Sequence, residues 1–270
     1  MREPIPTAAN TEATGAGGAE GGGETQDHLL GGRVRLRQPA TGFRTGIDAV
    51  FLAAAVPARA GDKVLDVGAG SGAAALCLAA RLAEVGVAGI DSDRALVRLA
   101  NANAEANGVP GRVEFFLGDL IHPPIRFAAA SFDHVMANPP FRAAGTGNVP
   151  SDAGRARATV EDKAKLDHWL RFCLMMAKPH GRVTLIYAAD RLADLLALVT
   201  GRLGGLVVFP LWPGSGKPAK RVLVSGRRTS QAPLALMPGL VLHRPDGSYT
   251  PQADAILRGA EELDIAGGPS

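Results

Sequence analysis

The chain has 270 residues, 46% of them hydrophobic and 20% charged, with a formal net charge of +3. That length allows one large domain with a sizeable core. Cysteine occurs only at Cys77 and Cys173, which excludes a disulfide framework or a zinc ribbon. No apolar run approaches the roughly 18 residues of a membrane span, and the first ten residues lack the apolar core of a signal peptide. The cytoplasm is therefore the expected compartment. The mildly basic balance does not by itself select a partner.

Residues 1 to 27 are rich in Gly, Ala, Thr and Glu. They bury too little apolar surface to offset their ordering entropy, so a disordered tail is expected, with order beginning at His28. Gly32 to Arg37 alternates apolar and basic residues, the period of a strand with one wet face. Ile47 to Val56 reads as a buried helix stopped by Pro57. From Gly61 onward, strands and helices alternate. The expected strands are Lys63–Val67, Val87–Ile90, Val113–Leu117, Phe132–Ala137, Val183–Tyr187, Leu206–Phe209 and Val222–Val224. The expected helices are Ala73–Val85, one capped by Asp93 and running to Asn107, Leu166–Ala177 and Ala189–Leu203. That alternation predicts an α/β fold with a mostly parallel sheet and helices on both faces.

The first strand of the series runs into Gly68-Ala69-Gly70-Ser71-Gly72. Glycines suit a backbone that turns tightly against a ligand, but this spacing also satisfies a dinucleotide-binding pattern, so the loop alone leaves the cofactor open. Asp66 disfavours a pyrophosphate and suits a cationic ligand. Asp91, at the end of the second strand, is placed to accept ribose hydroxyls, and Asp119 follows the third. Open α/β sheets bind ligands at this carboxyl edge.

These residues resemble the class I S-adenosylmethionine-dependent methyltransferases, a Rossmann-like fold on a seven-stranded sheet. The resemblance implies S-adenosylmethionine as cofactor. The methionine part would be held by Asp66, Gly68, Gly70 and Gly72, the ribose by Asp91 with Ser92 beside it, and the adenine by Asp119.

The fourth strand leads into Asn138-Pro139-Pro140-Phe141. The prolines fix a rigid bend with its carbonyls outward. The Asn138 side-chain oxygen and the Pro139 carbonyl can each accept an N–H of a planar amine, favouring a tetrahedral nitrogen that attacks a methyl donor. Phe141 offers a stacking face. The corner resembles the amino-methyltransferases with an N-P-P-[FYW] motif, which need no metal, and the sequence has no ligand set at metal-binding spacing.

Among that group the chain resembles the small bacterial enzymes that methylate N6 of the adenosine 3′ of the anticodon in a valine tRNA. Leu30–Val34 with Gly42–Val50, including Gly46 and Asp48, resembles their lead-in segment over the cofactor. Gly216–Val224 and Leu242–Leu257 resemble their C-terminal part. Many of those enzymes carry Tyr where Phe141 stands. Methylation of guanine N2 in rRNA or of a protein glutamine amide, and a non-catalytic S-adenosylmethionine-binding role, are the alternatives. A tRNA partner gives a reason for the basic residues, and Arg33, Arg35, Lys217, Lys220 and Arg221 are the candidate RNA contacts. Arg155, Arg157, Lys163 and Lys165 form a further basic group beside the corner. The expected organisation is a tail over 1–27, a cap segment over 28–60, a core over 61–228, an extension over 229–260 and a flexible end over 261–270. Oligomeric state is left open.

Overall fold

The computed structural model describes residues 23–41, 45–121, 127–140 and 166–267. Strands β1 (Glu24–Leu29) and β2 (Val34–Pro39) form an antiparallel hairpin with Leu29 opposite Val34. Order therefore begins by Glu24, earlier than the expected His28. The alternation in β2 buries Val34 and Leu36 and leaves Arg35 and Arg37 outward.

Helix α1 (Ile47–Ala54) precedes the series β3 (Lys63–Val67), α2 (Ala73–Arg81), β4 (Gly86–Asp91), α3 (Arg94–Ala106), β5 (Val113–Leu117) and β6 (Phe132–Ala137). It continues with α4 (Leu166–Met176), β7 (Ala177–Ala188), α5 (Leu192–Val199), β8 (Leu203–Trp212) and β9 (Arg221–Arg228). Short strands β10 (Ala235–Leu236) and β11 (Leu240–Val241) and helix α6 (Pro251–Gly259) complete it. Two helices are shorter than their periodicity predicts by more than two residues. α2 stops at Arg81, whose guanidinium donates to the Ala53 and Val56 carbonyls at the end of α1. The helix expected over 189–203 begins as a 3-10 turn, Ala189–Arg191, and ends before Thr200-Gly201.

Among the described residues the main sheet has nine strands in the order β10-β8-β9-β7-β6-β3-β4-β5, with β11 also beside β8. The seven expected strands are all present, and two two-residue strands from the expected extension add to the β8 edge. Every pairing is parallel except those of β9, which runs antiparallel between β7 and β8. Side chains alternate between two cores. Val64, Met136, Ile186 and Leu223 face α1, α2, α3 and α6, while Leu65, Val135, Leu185 and Val224 face α4 and α5. Burial on both faces is why these strands read as apolar runs.

The described part of the end expected to be flexible, 261–267, is packed instead. Leu263 and Ile265 are buried in the first core, and the Leu263 N–H donates to the Ala54 carbonyl at 2.9 Å. Among the described residues no helix is long and apolar enough to cross a membrane.

Candidate active site

The register brings the candidate residues to one edge. Val67 lies opposite both Ile90 and Ala137, and Asp91 opposite Leu117. The glycine loop, Asp91, Asp119 and Asn138 thus follow the carboxyl ends of four adjacent parallel strands, the edge where such sheets hold ligands.

Gly68, Gly70 and Gly72 all have positive φ, but they differ in what a side chain there would meet. A methyl on Gly68 would collide with the Trp169 indole of α4, and one on Gly72 would meet the Phe115 ring at 2.6 Å. Only at Gly70 would it point into open space. Two of the glycines therefore admit neighbouring aromatic rings, and the third leaves room for a ligand.

Asp66 is 3% exposed, and its Oδ2 accepts the Ala75 N–H at 3.2 Å, serving the amino end of α2 that Gly72 cannot cap. Burial, with the nearby Asp91 charge adding to it, pushes its carboxyl up to about 7. Asp91 accepts the Gly70 N–H at 2.8 Å and the Asp93 N–H at 2.9 Å, one on each oxygen. Burial raises its pKa as well, against those bonds. Two largely desolvated carboxylates converge on the loop, an arrangement that favours a cation. Ser92 is exposed beside them. Asp119 is exposed, and its Oδ1 accepts the Ile121 N–H at 2.9 Å in a local turn.

Asn138 is half-buried and Pro139 buried, and the Asn138 side chain has no hydrogen-bond partner among the described residues. Phe141, Arg155, Arg157, Lys163 and Lys165 lie outside the described residues, as do 42–44 of the lead-in segment. Gly46 precedes α1, and Asp48 pairs with Arg221 at 2.7 Å, joining a residue implied for the cofactor to one proposed for RNA. Arg221 opposes Ala188 at the end of β7, so this pair also lies on the carboxyl edge.

Arg33 and Arg35 are bound elsewhere. Their guanidiniums donate to the carbonyls of Gly259 and Ala106, the last turns of α6 and α3. Thirteen residues of α3 separate Ala106 from the carboxyl edge, about 20 Å at 1.5 Å per residue. These two arginines dock the hairpin. The exposed Lys217 and Lys220 stay on the β8–β9 connection at the carboxyl edge.

Sequence reasoning missed Asn103, which is fully buried in α3. Its amide accepts the Arg37 N–H and donates to the Arg37 and Ser71 carbonyls, each at 2.9 Å, tying the hairpin to the glycine loop. The available signal was Asn101 and Asn103 inside one helix, where Asn is a poor helix former, with Asn107 at its end.

Residues 44–152 match the methyltransferase small domain family. A relative from Porphyromonas gingivalis is 30% identical over 231 residues, covering 80% of this chain and 88% of its own. It is called a tRNA1(Val) (adenine(37)-N6)-methyltransferase. The chain belongs to that family. A protein of the same description from Aeromonas hydrophila is 29% identical, with 77% of this chain and 86% of the relative aligned. In fold, a predicted O-methyltransferase from Agrobacterium tumefaciens superposes with a TM-score of 0.67 at 24% identity, over 80% of this chain and 98% of that one. Both the fold and the family are those of a methyltransferase, and the edge built by β3 to β6 is its candidate site.

Proposed function

We propose that this chain transfers a methyl group from S-adenosylmethionine to N6 of the adenosine 3′ of the anticodon in a valine tRNA. The observation that carries the reading is Asn138-Pro139-Pro140 at the end of β6, one strand from the glycine loop of β3. The names of the relatives support the substrate.

The chain's residues fit a sulfonium cofactor. Asp66 is a buried carboxylate without a cation among its described partners, and Gly70, whose N–H binds Asp91, leaves open space at the loop. In this reading Asp66 holds the cationic methionine end, Asp91 accepts the ribose hydroxyls through its remaining lone pairs, and Asp119 faces the adenine. Bound there, S-adenosylmethionine supplies an electrophilic methyl group. Asn138 and the Pro139 carbonyl accept hydrogen bonds from the two amine N–H groups, aligning the nitrogen lone pair and strengthening their hold as the nitrogen pyramidalises, and the surplus proton passes to solvent after transfer. Incubation of unmodified tRNA with the protein and S-adenosylmethionine, followed by nucleoside mass spectrometry, should yield N6-methyladenosine. Methylation of guanosine or of a protein glutamine instead, or none, would reject this substrate.

Asp91→Ala should weaken S-adenosylmethionine binding by about 1.5–3 kcal/mol, because charge-assisted hydrogen bonds to ribose are lost. The melting temperature should fall with it, since the Gly70 and Asp93 amides lose their acceptor. Calorimetry showing wild-type affinity would take Asp91 out of the cofactor site.

For RNA, the informative pair is Lys217→Ala with Lys220→Ala. Each phosphate that the variant no longer neutralises should reduce the slope of log affinity against log salt by about 1. Arg35→Ala should lower thermal stability and leave that slope alone. A slope unchanged by the lysine pair would return them to an ordinary solvated surface.

A further inference from the structure

A cavity of about 440 Å³ opens at the amino ends of β3, β6 and β7, the edge opposite the candidate active site. The six residues of β6 separate the two by about 20 Å. Arg59, Arg182 and Arg227 line this cavity. Arg182 and Arg227 are direct partners across the antiparallel β7–β9 pair, which sets two like charges about 5 Å apart at Cβ. Arg182 is half-buried, and burial together with Arg227 pushes its pKa down, against the pull of Asp264. Among the described residues, the only side-chain hydrogen bond made by these three guanidiniums is from Arg182 to the Ser225 hydroxyl, at 3.2 Å.

The carboxylates of the same cavity already have partners. Asp133 takes Lys178 at 2.7 Å and the Lys63 N–H at 3.0 Å. Asp62 takes the Arg59 N–H at 2.8 Å and faces His134 at 3.2 Å. Glu262 faces Arg81 at 3.7 Å, and Asp264 accepts the amides of Ala266 and Gly267. Amide bonds leave the charges of Asp62 and Asp264 in place, so the three guanidiniums exceed these two carboxylate charges by one.

The rim adds a separate sign of constraint. His180 and Thr229 both hold positive φ, at 63° and 62°, although neither is glycine. They are clasped together, the Thr229 hydroxyl accepting the His180 N–H at 3.3 Å and lying 3.2 Å from its Nδ1. Non-glycine residues persist in this region only where their surroundings over-determine them, and such strain concentrates at ligand clamps.

We infer that this cavity is an anion site that takes the phosphate group of a small molecule, gripped between Arg182 and Arg227 with Arg59 closing the open side. Guanidinium pairs match phosphate through parallel N–H donors, and the like-charge strand pair is relieved when a dianion lies between them. The volume exceeds that of a bare phosphate and falls in the range of pockets that accept small organic ligands, so a phosphomonoester fits.

Calorimetric titrations of the full chain with inorganic phosphate and with adenosine 5′-monophosphate, at ionic strength held constant with sodium chloride, test this. At least one probe should bind. If only inorganic phosphate does, the source is the free ion, and tighter binding of the nucleotide points to a phosphomonoester. Arg182→Gln and the exposed Arg227→Gln should each weaken binding tenfold or more, while S-adenosylmethionine affinity is unchanged. Arg227→Gln keeps the test valid if the half-buried Arg182 variant fails to fold. No binding of either probe at matched ionic strength, undiminished affinity in Arg227→Gln, or displacement of phosphate by tRNA would overturn the inference.

Discussion

Asn138→Ala should slow methyl transfer about a hundredfold while leaving cofactor affinity and fold stability near those of the wild type. The reason is the stage at which the contact matters. An acceptor for an amine N–H gains most as the nitrogen turns tetrahedral, so its loss falls on the transition state more than on bound substrate. Removing one positioned polar group of this kind costs on the order of 10²–10³ in rate. Stability should change little, because Asn138 is only half-buried and its side chain bonds to no described residue. Single-turnover transfer of labelled methyl to unmodified tRNA measures the step directly. Near-normal turnover with cofactor bound would remove Asn138 from the amine-binding role and leave the Pro139 carbonyl without its partner.

The strands and the edge they share were legible because burial on both faces writes itself locally as short apolar runs. Val64-Leu65 and Val135-Met136-Ala137 needed no long-range knowledge to be seen. The glycine loop was legible as a loop, but the reason for each glycine was not. Gly68 answers to Trp169 and Gly72 to Phe115, contacts that only the packed fold brings together. The basic residues show the same limit more sharply. Arg33 and Arg35 look like a wet, positive strand face, yet they dock on helix ends more than 70 residues away in sequence. Asp48 and Arg221, read for two different ligands, neutralise each other across 173 residues. Local composition reports how many charges a segment carries. It does not report which of them the fold has already matched, and that decides what is left for RNA.

The same distinction between matched and unmatched charge gives the carboxylate of Asp66 the largest expected effect on the protein's own stability. Burial raises its pKa from 3.8 to about 7, so the folded protein holds this proton more tightly than the unfolded chain does. The stabilising contribution is complete below pH 4 and is lost as pH rises through 7. Above that, the fold carries a buried carboxylate at a cost on the order of 2–4 kcal/mol, taking about 1.4 kcal/mol per pH unit as an upper scale. Asp66→Asn removes the charge and keeps an oxygen that can accept the Ala75 N–H. At pH 8 and without cofactor, the variant should therefore be more stable than the wild type by about 1–3 kcal/mol, the range allowing for the new amide protons. At pH 5 the difference should shrink towards zero or reverse. Cofactor binding should move the opposite way. If the cationic methionine end is what the ionised Asp66 awaits, wild-type affinity should weaken by up to tenfold per pH unit below 7, and the variant should bind on the order of a hundredfold more weakly at pH 8. Asp91, whose pKa is raised too, would leave a residual pH dependence in the variant. Denaturant melts and calorimetric titrations at pH 5 and pH 8 give all four quantities. A variant that is no more stable at pH 8, yet binds cofactor as tightly as the wild type, would make Asp66 a cap for α2 and nothing more.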